Sequence, residues 1–483
     1  MEKSGQTLPA FRRRNVASVR PFAVLFASRA VSATRPRFVS RKSFVFRRLP
    51  LSLRPFAIAS FRRISLDVGA FETLRRPPQV QKFRIVMPSY QVIASQAGLE
   101  RYLEEIESAT WIAYDTEFIS EGRYQAELCL VQVATEFGDA LLDPLKIPDV
   151  RPFWERLCQD GAISIAHSCR SELEFCYRAL GRLPSRLFDV QLAAAFVGFD
   201  YPLNYKSLVQ ATIGVSLAKN ETRTDWSRRP LTSGQLDYAL NDVCHLKQIA
   251  DFLTRRLEET GRTAWFLEET RDFCRSLEAS FTDEHWQKLL GSKPFTSDEM
   301  AIVRELWRWR RRKALNRNIP PARIFRDDLI VELAKRKTGD PVRIAAVRGV
   351  NGSPDSSLVQ ELSAAIDDAL SLPTEEKPKL SARPSYPQYA LATQLLGILV
   401  NQYSARRGIS PRLVSTTTDV RQAIAAREGT LPPSETPRLL TGWRAKFLDD
   451  FIGDCLDGRF AMRFSKDLES YPLQLIDRQT GRR

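Results

Sequence analysis

Two pairs of oxygen-bearing side chains stand at spacings that suit catalysis, and Asp115 and Glu117 form the first pair. They lie two residues apart at the end of an apolar run that begins at Trp111. The run predicts a buried strand, and because side chains alternate faces along a strand, the two carboxylates point the same way. Adjacent acids repel one another unless a cation or a shared proton relieves them, and a divalent metal is the simplest relief. The alternative is that both acids merely face water at a strand end.

The second pair, Tyr238 and Asp242, lies on a predicted helix. Thr232 and Gln235 form a capping-box pattern at its start. The apolar stripe of this helix consists of Leu236, Ala239, Leu240, Val243, Leu246 and Ile249. Residues four apart lie one turn from each other on the same face, so Tyr238 and Asp242 share a face outside this stripe. Such a pair on an exposed face is unremarkable by itself, and it gains weight from the acidic strand that precedes it.

Four carboxylates from three separate stretches, together with a tyrosine, are what a two-metal phosphodiesterase requires. Two ions about 3.5–4 Å apart stabilise the attacking and leaving oxygens of an in-line displacement. Hard oxygen ligands select Mg²⁺ or Mn²⁺ over zinc. Three of the ligands would be Asp115, Glu117 and Asp242. Tyr238 would orient the nucleophilic water, and the remaining acid is expected within residues 167–174.

The elements that must position these residues follow an α/β pattern. Strands are predicted at 111–118, 127–134, 139–142 and 164–167, and helices at 170–180, 187–197 and 205–213. Strands that come first, with helices interleaved later, indicate a mixed sheet covered by helices. Beyond residue 290 the pattern turns entirely helical and begins with a long basic helix over 297–317.

Residues 90–280 resemble ribonuclease D, of the DEDD exonuclease superfamily with tyrosine in its third motif. The motifs that carry the likeness are Asp115-Thr-Glu117-Phe118, His167 with the helix after it, Phe188-Asp189-Val-Gln191, Tyr238-x-x-x-Asp242, and the loop Glu221-Thr-Arg-Thr-Asp-Trp-Ser-Arg-Arg-Pro-Leu231. The resemblance implies a ribonuclease H-like mixed sheet covered by helices, and a 3′–5′ exonuclease that uses two divalent ions, Mg²⁺ or Mn²⁺. The catalytic residues it implies are Asp115, Glu117, Glu172, Tyr238 and Asp242, and the four acids among them would be the metal ligands.

One position departs from the family pattern. Five residues after His167 the family usually has Asp, and here the residue is Glu172. The carboxylate is kept, but it reaches one methylene further. We expect an intact site, since the other three acids and Tyr238 are present. Asp189 is a second candidate ligand, although its expected role is to cap the helix that starts at 190.

Several arginines are candidates for contacts to the RNA backbone, because guanidinium matches phosphate geometry bidentately. Arg223, Arg228 and Arg229 lie in the loop before the Tyr238 helix, and Arg308 and Arg311 lie in the basic helix. The competing interpretations are a salt bridge within the loop and a solvated helix face.

The helical region resembles modules found in helicases and in ribonuclease D. Residues 294–371 are similar to an HRDC domain, on the stretches 297–300, 306–310, 319–321 and 327–328. Proline, Glu and Lys mark 372–387 as a linker, and 388–470 resemble a second HRDC-like domain more weakly. The predicted organisation is therefore an exonuclease domain over 87–290 followed by two small all-α domains.

The formal net charge of +15 is concentrated at the N-terminus, where residues 1–86 contain 16 Arg and 3 Lys but only three acids. Little fixed structure is expected in this extension. We favour translation from Met87 as its explanation, over an organellar transit peptide or an RNA-binding arm. The seven cysteines have no zinc-site spacing and suggest a reducing compartment. No apolar run approaches the roughly 20 residues of a membrane span, and a cytoplasmic location is expected.

The sequence thus predicts a monomeric 3′–5′ exoribonuclease that releases nucleoside 5′-monophosphates. The resemblance implies tRNA precursors or other small structured RNAs as substrates. Two alternatives remain open at this point. One is a DNA 3′–5′ exonuclease with the same core, and the other is an RNA-binding scaffold whose metal site is weakened by Glu172.

Overall fold

The computed structural model describes residues 90–217, 224–282, 284–291, 294–379, 386–466 and 472–478. A six-stranded mixed sheet forms the first part. Its strands are β1 (Tyr90–Ile93), β2 (Trp111–Ile119), β3 (Glu127–Thr135), β4 (Gly138–Leu142), β5 (Ile163–Ala166) and β6 (Leu187–Asp189). The order across the sheet is β1-β4-β3-β2-β5-β6. The N-terminal extension 1–86 lies outside the described residues.

Strand β2 lies near the middle of the sheet and has a neighbouring strand on each side. It runs antiparallel to β3 and parallel to β5. Its residues Ile112, Ala113 and Tyr114 are almost wholly buried, as expected for an apolar run between two strands. In the β2–β3 register Asp115 lies opposite Gln132. The predicted mixed sheet is confirmed.

Helices cover both faces of this sheet. They are α1 (Gln96–Glu105), α2 (Arg151–Leu157), α3 (Arg170–Leu180), α4 (Val190–Phe196), α5 (Tyr205–Ile213), α6 (Ser233–Val243), α7 (Leu246–Glu259) and α8 (Thr263–Thr282). Two sequence expectations were wrong in detail. The helix predicted over 187–197 begins only at Val190, because residues 187–189 form β6 against β5. The apolar stripe that continues to Ile249 spans two helices, which are separated at Cys244 and His245.

The remainder of the described chain is almost entirely helical. Its elements are α9 (Ser297–Arg317), α10 (Pro321–Ile324), α11 (Asp327–Arg336), α12 (Pro341–Ala345), α13 (Ser357–Ser371), α14 (Ala390–Arg406), α15 (Pro411–Val414), α16 (Thr417–Arg427), α17 (Gly442–Leu448) and α18 (Phe451–Leu456), then the hairpin β7 (Phe460–Phe464) and β8 (Leu473–Asp477). Short 3₁₀ turns occur at His285–Leu290, Pro387–Tyr389 and Arg438–Leu440. No helix in these described ranges is long and apolar enough to span a bilayer.

The two C-terminal helical regions bury their apolar side chains differently. Helices α9 to α13 enclose a core of their own around residues such as Leu306, Ile330 and Leu362. The later helices instead contribute to one continuous core with α4, α7 and α8, where Trp443 packs edge-on against Phe196 at 4.8 Å between ring centroids. The last helical region therefore shares its hydrophobic core with the helices that cover the six-stranded sheet.

Polar contacts at both regions reflect this difference. A buried ion pair connects Glu269 of α8 with Arg444 of α17 through two hydrogen bonds of 2.7 and 2.8 Å. The first helical region contacts the loop after β2, where the Gln125 backbone N–H donates to the Asn318 side chain at 2.8 Å. Asn318 adopts a left-handed conformation at the end of α9, with φ of 47°. This helix end thus lies beside the loop that follows the acidic strand.

Candidate active site

The first predicted acids lie at the end of β2 on one face of the sheet. Asp115 and Glu117 alternate with Thr116, whose side chain lies on the opposite face and is 5 % exposed. The Thr116 backbone N–H donates to the Asp115 carboxylate at 2.9 Å. The β2–β3 register shifts between Glu117 and Phe118, and the pairing then continues to Ile119. The two carboxylates therefore lie directly before an irregularity in this strand pair.

Helix α6 supplies Tyr238 and Asp242. The predicted capping box is present, since Gln235 N–H donates to the Thr232 hydroxyl at 3.2 Å and the Gln235 side chain accepts from Thr232 N–H at 2.9 Å. This cap fixes the start of the helix, and α6 then packs across β3 and β2. Tyr238 hydrogen-bonds to Asp242 one turn later. The second carboxylate oxygen of Asp242, Oδ2, is buried and has no hydrogen-bond partner among the described residues.

Helix α3 supplies Glu172, the residue that replaces the family's usual Asp. Its side chain is 5 % exposed. The Thr116 hydroxyl donates to Glu172 Oε1 at 2.7 Å. The additional methylene does not separate Glu172 from Asp115, whose pKa is raised by the Glu172 charge. The Thr116 bond holds the Glu172 carboxylate at β2.

These four carboxylates, which we call the acid cluster, all have raised pKa values, and burial is the largest cause for each of them. Burial and then the charges of Glu172 and Asp242 raise the pKa of Asp115 far above its usual range. Burial, followed by Asp242 and Glu172, raises the pKa of Glu117 to about 8. Burial also raises the pKa values of Glu172 and Asp242 to about 7. Among the described residues, no Lys or Arg is a main contributor to these shifts.

The donor set of the acid cluster fits a divalent cation. Every donor is a hard oxygen, and the partnerless Asp242 Oδ2 is a buried acceptor whose desolvation a cation would offset. In the described parts of the chain, no three acidic, His or Cys side chains are already arranged to ligate one ion.

Two neighbouring polar residues are structural. Asp189 accepts hydrogen bonds from the backbone N–H groups of Gln191 and Leu192 at the start of α4, and from Ser168 and Cys169 before α3. It is the expected helix cap, and its bonds join the starts of two helices. The His167 Nε2 lies 2.9 Å from the Leu203 carbonyl, and burial lowers its pKa. His167 is therefore held by a hydrogen bond just after the end of β5.

The arginines predicted to contact RNA differ in what the structure leaves free. Arg229 uses all five N–H groups internally, on both Asp143 oxygens and on the carbonyls of Trp226, Arg228 and Cys129. Arg308 forms ion pairs with Glu284 and Glu305. These contacts engage both guanidinium groups within the chain, although the Arg308 side chain stays 37% exposed. Contact of Arg229 and Arg308 with RNA stays a prediction.

Arg228 and Arg311 keep more freedom. The Arg228 side chain is 83 % exposed and bonds to Asp225 through Nε, which leaves its terminal nitrogens open to solvent. Arg311 lies over the Trp307 ring at 5.3 Å and donates to the Phe281 carbonyl with one nitrogen. Arg223 lies outside the described residues.

Sequence reasoning missed two residues beside the acid cluster. Thr116 lies inside the Asp-x-Glu motif, and its role depends on the position of α3, which no sequence pattern gives. Gln132 interrupts the apolar strand β3 directly opposite Asp115. A polar residue within an otherwise apolar run of a strand could have indicated a functional position, because an unpaired buried amide is energetically unfavourable.

Comparison with known proteins agrees with this geometry. A family model described as a 3′–5′ exonuclease matches residues 90–258, and an HRDC domain model matches 299–363. Ribonuclease D of Zymomonas mobilis is 30% identical over 401 residues, which cover 81% of this chain and 100% of that protein. Ribonuclease D of Granulibacter bethesdensis is 31% identical over 370 residues, covering 74% and 90%.

A solved structure shows the same similarity. The crystal structure of Escherichia coli RNase D, described as an exoribonuclease involved in structured RNA processing, matches with a TM-score of 0.64 and 28% identity. The match covers 77% of this chain and 99% of that one. The chain therefore belongs to the ribonuclease D family, and it is a hydrolase, a 3′–5′ exoribonuclease.

Proposed function

We propose that this exoribonuclease works through two divalent ions, Mg²⁺ or Mn²⁺, held by the acid cluster of Asp115, Glu117, Glu172 and Asp242. The observation that supports this is a group of four carboxylates, of which Glu172 and Asp242 are buried and Asp115 and Glu117 are partly buried. Loss of solvent raises all four pKa values, and neighbouring acids raise those of Asp115 and Glu117 further. When bound, such ions activate water and stabilise the developing charge on the phosphodiester oxygens. RNA would be shortened from its 3′ end, with release of nucleoside 5′-monophosphates.

The side chains around the acids have distinct roles in this proposal. Burial and the Asp242 charge raise the pKa of Tyr238 far above neutrality, so its hydroxyl stays protonated and remains a donor. That hydroxyl bonds to Asp242 and would orient the attacking water at the terminal phosphodiester. Thr116 would keep Glu172 aligned with β2 in place of the shorter Asp of the family.

The proposed substrates are RNAs with a free 3′ end, such as tRNA precursors. The E. coli relative, described as an exoribonuclease involved in structured RNA processing, supports this class. Arg228, with an exposed guanidinium, is proposed as a phosphate contact, and Arg311 as a weaker one. A monomeric state and a cytoplasmic location stay predictions. All seven cysteines are unbonded thiols, which supports a reducing compartment.

The experiment is a shortening assay on a tRNA that is extended at its 3′ end and labelled at its 5′ end, with Mg²⁺, Mn²⁺ or EDTA. We expect a ladder that shrinks from the 3′ end with metal and no shortening in EDTA. Asp115→Asn should lose the ladder while RNA binding is retained. Metal-dependent shortening by Asp115→Asn at the wild-type rate would contradict the site.

Glu172→Asp tests the unusual ligand against the scaffold alternative. If Glu172 is a ligand, the shorter Asp restores the family pattern and should keep or raise activity. A strong loss would show that the geometry is built around Glu, through its bond with Thr116. Binding without shortening in any metal, by the wild type, would favour the scaffold.

A further inference from the structure

Gln132 is a buried polar side chain that the roles described above do not use. It is 0 % exposed, and it interrupts the apolar strand β3 between Val131 and Val133. Both its Nε2 and its Oε1 lack a hydrogen-bond partner among the described residues. Buried amides normally find partners, because removing an amide from water without compensation is unfavourable. An unpartnered amide at the centre of a sheet therefore points to a hydrogen-bond partner that it meets only when a ligand is bound.

The position of Gln132 identifies that partner. It pairs directly with Asp115 on β2 and with Leu141 on β4. Residues directly opposite in an antiparallel pair have side chains on the same face, with Cβ atoms about 4.5–5.5 Å apart. The Gln132 amide therefore extends from the same face of the sheet as the Asp115 carboxylate, from the neighbouring position on the next strand.

The layer above this face contains a second unpartnered group. Helix α6 packs on β3 and β2. The Oδ2 atom of its residue Asp242 is buried and lacks a hydrogen-bond partner among the described residues. Gln132 and Asp242 thus place two unsatisfied polar groups on the side of the sheet that carries Asp115. The amide supplies the donor, and the carboxylate supplies the acceptor.

We propose that Gln132 is a positioning residue for the metal site: when a divalent cation is bound, its Nε2 would donate to the Asp115 carboxylate and fix the orientation in which that carboxylate binds the ion. The inference rests on the proposed function of the acid cluster. Carboxylates that ligate metals are usually held by hydrogen bonds from an outer shell, and loss of such a bond typically weakens metal affinity 10- to 100-fold.

Gln132→Met tests the inference, because Met has similar length and volume but no donor. Mn²⁺ affinity is measured by calorimetry on the full chain without RNA, and melting temperature is measured without metal. We expect about 10- to 100-fold weaker Mn²⁺ binding, with a metal-free melting temperature that is unchanged or higher. A structural residue would lower the melting temperature and leave metal affinity unchanged, and that pattern would overturn the proposal.

Tyr114→Phe is the matched control. It removes a different buried polar group, the Tyr114 hydroxyl, which has no partner among the described residues. Tyr114 is next to Asp115 in sequence, but its side chain lies on the opposite face of β2. Its Mn²⁺ affinity should stay within about twofold of the wild type, and Gln132→Asn, which keeps the donor, should lie between the wild type and Gln132→Met. If Gln132→Met fails to fold, Gln132→Leu takes its place.

Asp115→Asn separates failure of this inference from failure of the proposed function. Wild-type Mn²⁺ affinity in Gln132→Met, with lost affinity in Asp115→Asn, would overturn the role of Gln132 alone. A wild type that binds no Mn²⁺ would overturn the proposed function together with the inference.

Discussion

Two groups of side chains in this protein, one of four acids and one built around the single acid Glu269, have opposite electrostatic environments. The acid cluster on β2, α3 and α6 has no Lys or Arg among the main contributors to its pKa shifts in the described chain. The second group, which we call the Glu269 junction, consists of Glu269 with Arg438, Trp443 and Arg444. Both Glu269 oxygens accept from Arg444, and Oε2 also accepts from the Trp443 indole N–H at 2.7 Å.

The pKa shifts of the two groups record this difference. Burial raises the pKa of Glu269, but the hydrogen bonds and charge of Arg444 outweigh burial and lower it overall. In the acid cluster, burial is reinforced by neighbouring acids, and the pKa values rise. The junction is electrostatically complete within the chain and serves stability. The acid cluster is left incomplete, as a site that receives cations requires.

The largest expected effect is on activity, in Asp242→Asn. The substitution removes a proposed ligand and its charge but keeps the shape of the side chain. If metal stabilises the transition state by several kcal/mol, activity should fall about a thousandfold or more. Melting temperature without metal should not fall, since repulsion within the acid cluster is reduced. Parallel assays of RNA shortening and thermal melting measure both effects, and retained activity would remove the basis of the comparison.

The next effect is on stability, in Glu269→Ala. The change leaves the buried Arg444 guanidinium without its partner, so unfolding free energy should fall by about 3–5 kcal/mol. Urea titration followed by circular dichroism measures the loss. Arg438→Ala is the control, because the Arg438 side chain is 45% exposed and such pairs contribute only about 0–1 kcal/mol. Equal losses in the two variants would show that the junction is not the stabilising unit we describe.

Metal should distinguish the two groups directly. A ligand at about 100 times its Kd stabilises the folded state by about 2.7 kcal/mol, so Mn²⁺ should raise the melting temperature of the wild type. Arg438→Ala at the junction should show the same rise, and Asp242→Asn little or none. A rise in Asp242→Asn equal to that of the wild type would place the bound ions elsewhere.

The smallest effect is a pH dependence with opposite signs in the two groups. Glu117 has its pKa raised from 4.5 to about 8, so the folded, metal-free protein binds more protons than the unfolded chain in that range. Its contribution to stability is therefore lost as pH rises through the folded pKa. Glu269 has a lowered pKa, so its contribution is present above the unfolded value and is lost as pH falls through the folded pKa.

Urea midpoints at a series of pH values measure both trends. Without metal, the decline in stability above pH 4.5 should be weaker in Glu117→Gln, whereas the loss at acid pH should be unchanged. Saturating Mn²⁺ should remove the decline, because bound cations favour the ionised acids. A decline that is identical in the wild type and Glu117→Gln would exclude Glu117 as its source.

The sequence predicted much of the catalytic half because that information is local. The apolar run into Asp115 defines a strand, and the Thr232–Gln235 capping box defines the start of the helix that holds Tyr238 and Asp242. Alternation on the strand and the helical repeat then fix which of these side chains share a face. The order of the motifs was sufficient to identify the family.

The sequence was less informative wherever a residue's partner is distant in the chain. The basic helix predicted contacts to phosphate for Arg308, yet Glu284 and Glu305 take up its guanidinium. The break between α6 and α7 was missed, since the apolar stripe runs through it from Leu236 to Ile249. The shared core of the last helical region was also missed, because an amphipathic helix does not specify the surface that covers it.

The sequence by itself determined the identity of the chemical groups in this protein: two acids on one strand, a Tyr–Asp pair on one helix, and the position of Glu172. Tertiary structure alone decided their environment. It gathered the acid cluster and surrounded Glu269 with Arg444 and Trp443. Within the described residues, it left Gln132 without a hydrogen-bond partner opposite Asp115. The physical reason is that residue type fixes charge and hydrogen-bonding capacity, whereas burial and long-range contacts fix the free energy of using them.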